Sequence, residues 1–90
     1  MIESFQHGGL RDLFETGRSR KVWADLARRA RRVLDALNAA SSLHDLNLPG
    51  IRTHPLKGTS RHAISVSAQW RVTFEWHEGA ARRVDLEQYH

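Results

Sequence analysis

The spacing of hydrophobic and polar residues divides the chain into a helical first half and a strand-rich second half. A short apolar-polar alternation at Met1–Phe5 predicts one strand. Leu10 and Leu13 then lie at helical spacing before Gly17, a typical residue at the end of a helix. We therefore expect a short helix over residues 9–16.

Residues 20–39 carry the strongest helical pattern in the chain. Apolar residues recur every three or four positions, as in a helix that buries one stripe. The members of this stripe are Val22, Trp23, Leu26, Ala27, Ala30, Val33, Leu34 and Leu37. We expect the stripe to pack on a sheet. If the Trp23 ring is fully buried there, Trp23→Ala should destabilise the fold by about 3–5 kcal/mol.

Residues 40–50 are predicted to form a connection with room for one helical turn. After them, the spacing of apolar residues changes from the three or four of a helix to the two of a strand. Three or four strands follow, joined as hairpins by short turns. The predicted strands cover residues 51–56, 61–67, 70–77 and 81–86. The third gives the clearest signal, because four apolar residues alternate strictly with four polar ones. Pro55 in the first strand favours an edge position, since proline cannot donate a backbone hydrogen bond.

This order of elements predicts the α+β class. Strands joined as hairpins are antiparallel, and the two helices precede them in the chain. The expected architecture is a small twisted antiparallel sheet with two N-terminal helices packed on one side. We find no repeat, low-complexity segment or linker, so a single domain over residues 1–90 is expected.

The charge pattern favours a polyanionic partner over a merely solubilising basic surface. The formal net charge is +4, and all cationic residues except Lys21 and Lys57 are arginines, which bind phosphate through two hydrogen bonds. Residues 46–74 contain no Asp or Glu but carry Arg52, Lys57, Arg61 and Arg71. A second run, residues 18–32, holds seven cations against one carboxylate. Such acid-free stretches are typical of grooves that follow a phosphate backbone.

Several classes of protein and site are disfavoured by the composition. There is no Cys, so disulfides and thiolate metal sites are excluded. The six histidines are scattered, and none has a standard ligand spacing, although His62 and His77 could face each other across a hairpin. We therefore predict no metal and no cofactor. No apolar run approaches a membrane span, and the N-terminus does not resemble a signal peptide, which together predict a cytoplasmic protein.

RNA cleavage without a metal needs few side chains, and this sequence contains them. A ribose 2′-OH must lose a proton and attack phosphorus, and the leaving 5′-oxygen must gain a proton. Cations must offset the charge that develops on the phosphorane, a task for arginine or lysine. The segment after the last strand ends in Tyr89-His90, a phenol and an imidazole whose position the sheet defines.

Motifs along nearly the whole chain resemble a known family. The opening segment 1–17, then His54-Pro55-Leu56-Lys57-Gly58, then Gln69-Trp70-Arg71, and finally Tyr89-His90 are similar to HigB-type toxins of the RelE/ParE superfamily, also called the plasmid maintenance system killer family. The motifs occur in the same order and at matching spacing. This combination is much more specific than any one of its parts.

The resemblance implies a fold, an activity and partners. HigB-type toxins have a RelE-like fold and cut mRNA in the ribosomal A site, without metal, by 2′-OH attack. Their partner is a helix-turn-helix antitoxin (HigA-like), and the toxin reaches operator DNA only through the antitoxin complex. On the matching positions, Lys57 and Arg71 would hold and neutralise the scissile phosphate, and His90 would transfer protons. Tyr89 would stack on or orient the substrate.

Further residues are expected to contact the substrate. The resemblance implies that His54 assists, and the basic and polar side chains near these motifs extend the expected substrate-binding set. That set consists of His54, Arg52, Arg61, Gln69 and Gln88.

Two departures from the family pattern bear on this assignment. The family usually has an acid before the final Tyr-His, and here that position is Gln88; strand alternation places Asp85 and Glu87 on the opposite side of the strand. The loop from Lys57 to Ile64 is about two residues shorter than usual, and His62-Ala63 replaces an aromatic-Ser pair. Two alternatives therefore stay open: a non-enzymatic gyrase inhibitor, as the related ParE toxins are, and an RNA-binding module without catalysis.

Overall fold

The computed structural model describes residues 1–89, and His90 lies outside the described part. The elements in chain order are α1 (Gly8–Thr16), α2 (Ala24–Ala39), a 3-10 turn (Leu43–Leu46), β1 (Thr53–Pro55), β2 (Arg61–Ser65), β3 (Trp70–His77) and β4 (Ala80–Gln88). No helix among residues 1–89 is both long enough and apolar enough to cross a membrane.

The four strands form one antiparallel sheet in the order β1-β2-β3-β4. Each strand therefore pairs with its neighbour in sequence, as the hairpin pattern predicts, and the α+β architecture with two preceding helices is confirmed. β1 is shorter than predicted, and it is the edge strand that contains Pro55. The connection over 40–50 holds the expected helical turn.

The prediction of a regular strand at Met1–Phe5 is wrong. This segment instead forms two isolated parallel bridges to β4, at Ile2 and Phe5. The backbone N–H of Glu3 donates to the carbonyl oxygen of Ala81 at 2.8 Å. This pairing joins distant parts of the chain, so local patterns in the sequence cannot predict it. The N-terminal segment thus covers the edge of β4 that β3 leaves free.

A β-bulge in β4 changes which residues face inward. Glu75 pairs with Arg82 and Thr73 pairs with Asp85, so Arg83 and Val84 together lie opposite Phe74. Arg83 has a positive φ of 51°, which accommodates the extra residue. After the bulge the alternation resumes, and this sets the orientation of the C-terminal part of β4.

One hydrophobic core lies between the helices and the sheet. Phe74 is fully buried, as are the leucines of α1 and α2 that the helical pattern predicts to face inward. The fully buried large apolar side chains are Phe74, Leu10, Leu13, Leu34, Leu37, Leu46, Ile64, Val72 and Val84. We call the opposite face of the sheet, which carries Arg71, Thr73 and Glu75, the outer face. This layering keeps the polar side chains of β3 on one side and the core on the other.

Trp23 is not part of the buried stripe, and this corrects the sequence prediction. Helix α2 begins at Ala24, so Trp23 is its N-cap residue with extended backbone. The helical spacing does not extend to this position, and the side chain is 69% exposed. Its ring makes an edge contact with Trp70, with the centroids 6.1 Å apart.

Trp23→Ala should therefore lower the free energy of unfolding by only about 0.5–1.5 kcal/mol, the usual contribution of one aromatic pair. The reason is that the substitution removes one ring contact and leaves no cavity in the core. Urea denaturation followed by circular dichroism measures this. A loss of 3 kcal/mol or more would show that the ring is buried after all.

His62 makes the stability of the fold depend on pH. Its ring stacks on Phe74, with the centroids 5.8 Å apart, and burial lowers the pKa of His62 below its usual value of about 6.5. Protonation is therefore less favourable in the folded chain than in the unfolded one. The resulting stability is present above pH about 6.5 and is lost as the pH falls through the depressed folded-state pKa.

We expect the unfolding free energy to fall on acidification from pH 7 to pH 5, and part of this fall to disappear in His62→Phe. Denaturation midpoints of both proteins, measured across this range, provide the test. Identical slopes for the intact chain and His62→Phe would exclude His62 as the source.

Candidate active site

Arg71 lies at the centre of the outer face because of the strand register. In β3 it pairs with Ser65 of β2 on one side and with Glu87 of β4 on the other. Directly paired residues of antiparallel strands point to the same face, so these three side chains form one row. The Nη2 atom of Arg71 is 3.8 Å from Oε2 of Glu87. An acid, a cation and a hydroxyl are thus adjacent.

Tyr89 completes this row from the end of β4. Its backbone N–H donates to the carbonyl oxygen of Gln69 at 2.8 Å, which fixes the chain beside β3 beyond the last strand residue. Its hydroxyl is hydrogen-bonded to the Ser65 hydroxyl. The Arg71 guanidinium carbon lies 5.0 Å from the centroid of the Tyr89 ring, within the range of a cation–π interaction. Tyr89 and Arg71 therefore hold each other in place.

The Arg71 guanidinium retains unused hydrogen-bonding capacity. The side chain is 18% exposed, and its Nε is buried without a hydrogen-bond partner among residues 1–89. An unpaired buried donor is destabilising, and a functional role is one of the reasons for which a fold retains it. The arrangement suits an arginine that receives an anionic ligand on its remaining donors.

Arg61 lies further along the outer face and has several protein partners. Its Nη2 donates to the Thr73 hydroxyl at 3.0 Å and to the Arg83 carbonyl oxygen at 2.9 Å. Its Nη1 is 3.5 Å from Glu75. Thr73 is fully buried beneath it, although strand alternation alone predicts an exposed residue there. These contacts hold Arg61 in a fixed position.

A cavity of about 380 Å³ opens on the outer face next to Arg61. It connects the β1–β2 loop to β4, because Thr59 and Ser60 line one part and Glu87 another. The loop that contains Lys57 therefore lies against the face that carries Arg71. The lining residues are Gln6, Thr59, Ser60, Arg61, Glu75, Arg83 and Glu87.

The central motif lies on β1 and the loop that follows it. His54 pairs with Ala63, and Ala63 pairs with Thr73, so His54 belongs to the outer face and is exposed. Lys57 is exposed in the loop, next to Gly58, whose positive φ of 79° makes the turn. Arg52 is exposed just before β1. The fold thus brings His54 to the same face as Arg71 and leaves Lys57 in the adjoining loop.

The two glutamines predicted to bind substrate lie at the same end of the sheet. Gln69 precedes β3 and holds Tyr89 through its backbone. Gln88 pairs with Trp70 and is exposed on the side opposite to Glu87. The register therefore places Glu87, and not residue 88, on the Arg71 side of the strand, as the alternation predicts. His90, the predicted proton-transfer residue, lies outside the described residues.

Sequence reasoning missed Ser65 as a site residue and treated Glu87 only as a displaced acid. The signal was available in the β2–β3 hairpin: pairs counted outward from its turn place Ser65 opposite Arg71. Glu87 is two residues before Tyr89 and so shares its face. Pairing counted across strands identifies such residues, whereas motif matching along the chain does not.

The hairpin register also separates the two histidines considered as a zinc pair. His62 lies opposite Phe74, not His77. Within the described range, 1–89, no group of three or more His, Cys, Asp or Glu side chains is close enough to hold a metal ion.

Charge is distributed unequally between the two layers. Residues 8–39 contain eight cations and four carboxylates, a balance of +4 that equals the formal net charge of the whole chain. Among residues 1–89, the arginines in ion pairs with carboxylates are Arg61, Arg71 and Arg83, all in the sheet. The excess positive potential therefore lies on the helical layer, on cations that form no ion pair within the described residues.

Comparison with known proteins agrees with this fold and with the motif positions. Residues 3–90 match the model of a family described as the RelE-like toxin of type II toxin-antitoxin system HigB. The chain is also 39% identical over 92 aligned residues to Endoribonuclease HigB of Proteus vulgaris, with the full length of both proteins covered. This chain therefore belongs to the HigB family of RelE-like toxins of type II toxin–antitoxin systems.

Proposed function

We propose that this toxin is an endoribonuclease that cuts mRNA in the ribosomal A site, without metal, by attack of the ribose 2′-OH on the adjacent phosphate. The observation that carries the proposal is the juxtaposition of Arg71, Tyr89 and Glu87 on one face of the sheet. The full-length relative named as an endoribonuclease supports the same reaction class.

Arg71 and Lys57 are proposed to bind the scissile phosphate. When the 2′-oxygen attacks, the phosphorane gains negative charge, and a planar guanidinium can donate two hydrogen bonds to its oxygens. Arg71 is held at this position by Tyr89 and Glu87, so little reorganisation is needed. Lys57 would add a second cation from the adjoining loop, where its side chain is exposed.

Proton transfer is proposed to involve His90, with Tyr89 and His54 in supporting roles. The 2′-OH gives up its proton as the new O–P bond forms, and the 5′-oxygen takes a proton as the old P–O bond breaks. The products are then a cyclic phosphate and a 5′-hydroxyl. Gln88 cannot exchange a proton, so the carboxylate available for proton transfer beside Arg71 on this face is that of Glu87. Tyr89 positions the substrate through its ring.

The remaining predicted residues are proposed to contact flanking parts of the RNA. Arg52 precedes β1 at the end of the sheet that carries Ser65, whereas Arg61 lies at the β1–β2 turn, next to Glu75 of β3. Gln69 and Gln88 lie at the opposite end of β3, near Tyr89. Arg61 thus lies towards one end of the sheet, and the other three lie towards the end that carries the Arg71 row.

A type II toxin has an antitoxin partner, and we propose a HigA-like helix-turn-helix protein in this role. The toxin would reach operator DNA only as part of that complex. Its other partners are the ribosome and mRNA, which places its action in the cytoplasm. The domain is proposed to act as one unit over residues 1–90.

Lys57→Ala tests the proposal with little risk to the fold. Lys57 is exposed in a loop, so its truncation should leave the unfolding transition almost unchanged. Loss of one cation at the phosphorane should lower mRNA cleavage by about 100-fold and abolish growth arrest. Growth curves and mapping of 5′ ends on cellular mRNA measure both effects.

The chain offers one matched control. Lys21 is the other lysine, is exposed, and lies outside the sheet. Lys21→Ala removes the same charge and should retain cleavage. A Lys57→Ala variant as toxic as the intact chain would remove Lys57 from the proposed site.

A further inference from the structure

An exposed tryptophan lies on the helical side of the sheet, across β3 from the face that carries Arg71. Among residues 1–89, three large apolar side chains are exposed: Met1, Leu48 and Trp23, the last being the most exposed at 69%. Trp23 differs from the other two because its position is fixed. Its ring is nearly perpendicular to that of Trp70, at an interplanar angle of 87°, so the two rings are not stacked face to face. Trp70 directly precedes Arg71 in β3.

Trp23 forms one wall of a separate cavity of about 350 Å³. Arg29 of α2 lines the cavity and is held by a hydrogen bond from its Nη1 to the Val66 carbonyl oxygen at 3.4 Å. Asp25 and Gln69 line it too, and their side chains can hydrogen-bond to amino or carbonyl groups of a ligand. The cavity therefore brings together an exposed aromatic ring, a cation and polar groups.

Gln69 lies between this cavity and the Arg71 row, at the end of the sheet where β3 begins. The same residue that lines the cavity accepts the backbone hydrogen bond of Tyr89 at 2.8 Å. A chain bound across Tyr89 would thus reach Trp23 by passing around the start of β3 to the helical side of the sheet. It would also approach the helical layer, which carries the whole net positive charge.

We propose that Trp23 is a stacking platform for a nucleobase of the bound RNA, one position or more from the scissile phosphate, with Arg29 binding an adjacent phosphate. The proposal rests on the proposed function for the identity of the strand. Stacking on an exposed ring, beside a cation, is a general mode of binding single-stranded RNA and tolerates different bases. The positive charge of the helical layer favours RNA over a protein surface that is poor in acidic residues. The antitoxin is the competing occupant of this cavity.

The test is binding of a single-stranded RNA decamer to the full chain, measured by fluorescence anisotropy. We expect Trp23→Ala to weaken binding by about 5- to 150-fold, as for loss of one stacked base. Trp23→Phe should restore most of the affinity, because a ring is retained. Leu48→Ala is the matched control, since Leu48 is an exposed apolar residue that does not line this cavity.

A second probe separates stacking from charge. An abasic ribose-phosphate decamer should bind the intact chain and Trp23→Ala equally. An equal loss for both probes, or no loss for the RNA decamer, would overturn the proposal. So would a Trp23→Ala chain that binds RNA normally but loses antitoxin binding.

The result is distinguishable from failure of the proposed function. If the intact chain binds RNA through Trp23 but cuts no mRNA, the stacking site stands and the nuclease assignment fails. If it cuts mRNA with no contribution from Trp23 to binding, the nuclease assignment stands and the stacking site fails.

Discussion

Arg71→Ala should reduce mRNA cleavage by about 1,000-fold while leaving the protein folded. The arginine is proposed to supply the main charge at the phosphorane, and removal of one such donor typically lowers the rate by 100- to 1,000-fold. Here the substitution also removes the cation that lies 5.0 Å from the Tyr89 ring centroid, so the cation–π interaction that holds the ring in place is lost. The rate of cleavage on programmed ribosomes is the measurement.

Arg71→Lys distinguishes charge from geometry. Lysine keeps the positive charge but lacks the planar fork that binds two phosphate oxygens and packs on an aromatic ring. We expect it to recover only a small part of the activity. Arg11→Ala removes an exposed cation from α1 and serves as the matched control, with activity near that of the intact chain. Full activity in Arg71→Ala would refute the proposed site.

Phe74→Ala should lower the free energy of unfolding by about 3–5 kcal/mol, the range for truncation of a buried aromatic. Phe74 is completely buried, with 0% of its surface accessible to solvent. Its ring contacts the rings of His62 and Trp76. Denaturant unfolding monitored by circular dichroism measures the effect.

Phe14→Ala is the comparison for this prediction. Phe14 is only partly buried and contacts Phe5 at a centroid distance of 5.8 Å. Its truncation should therefore cost clearly less than that of Phe74. Equal losses at the two positions would show that the core is not centred on Phe74.

The sequence was sufficient to predict the fold wherever local periodicity determines structure. The helix end at Gly17 is confirmed by its positive φ and by its backbone hydrogen bond to Leu13. The alternation in β3 correctly separates Val72 and Phe74 from Arg71. Periodicity failed at Trp23, because an apolar residue just before a helix matches the spacing without belonging to the buried face.

The remaining errors come from pairing between distant segments. The parallel bridges of Ile2 and Phe5 to β4 join residues about eighty positions apart, and no local pattern reports them. The bulge at Arg83 is likewise a property of two strands together. For the candidate site, motifs identified Arg71 and Tyr89, whereas Ser65 beside them became visible only through the strand register.

The most direct test of the central claim is to map new 5′ ends on cellular mRNA after induction of the intact chain, with Arg71→Ala induced in parallel. The account predicts growth arrest with new ends inside translated codons, and neither effect with Arg71→Ala. Growth arrest by the intact chain without new ends in mRNA would contradict it and would favour a target other than mRNA, such as DNA gyrase.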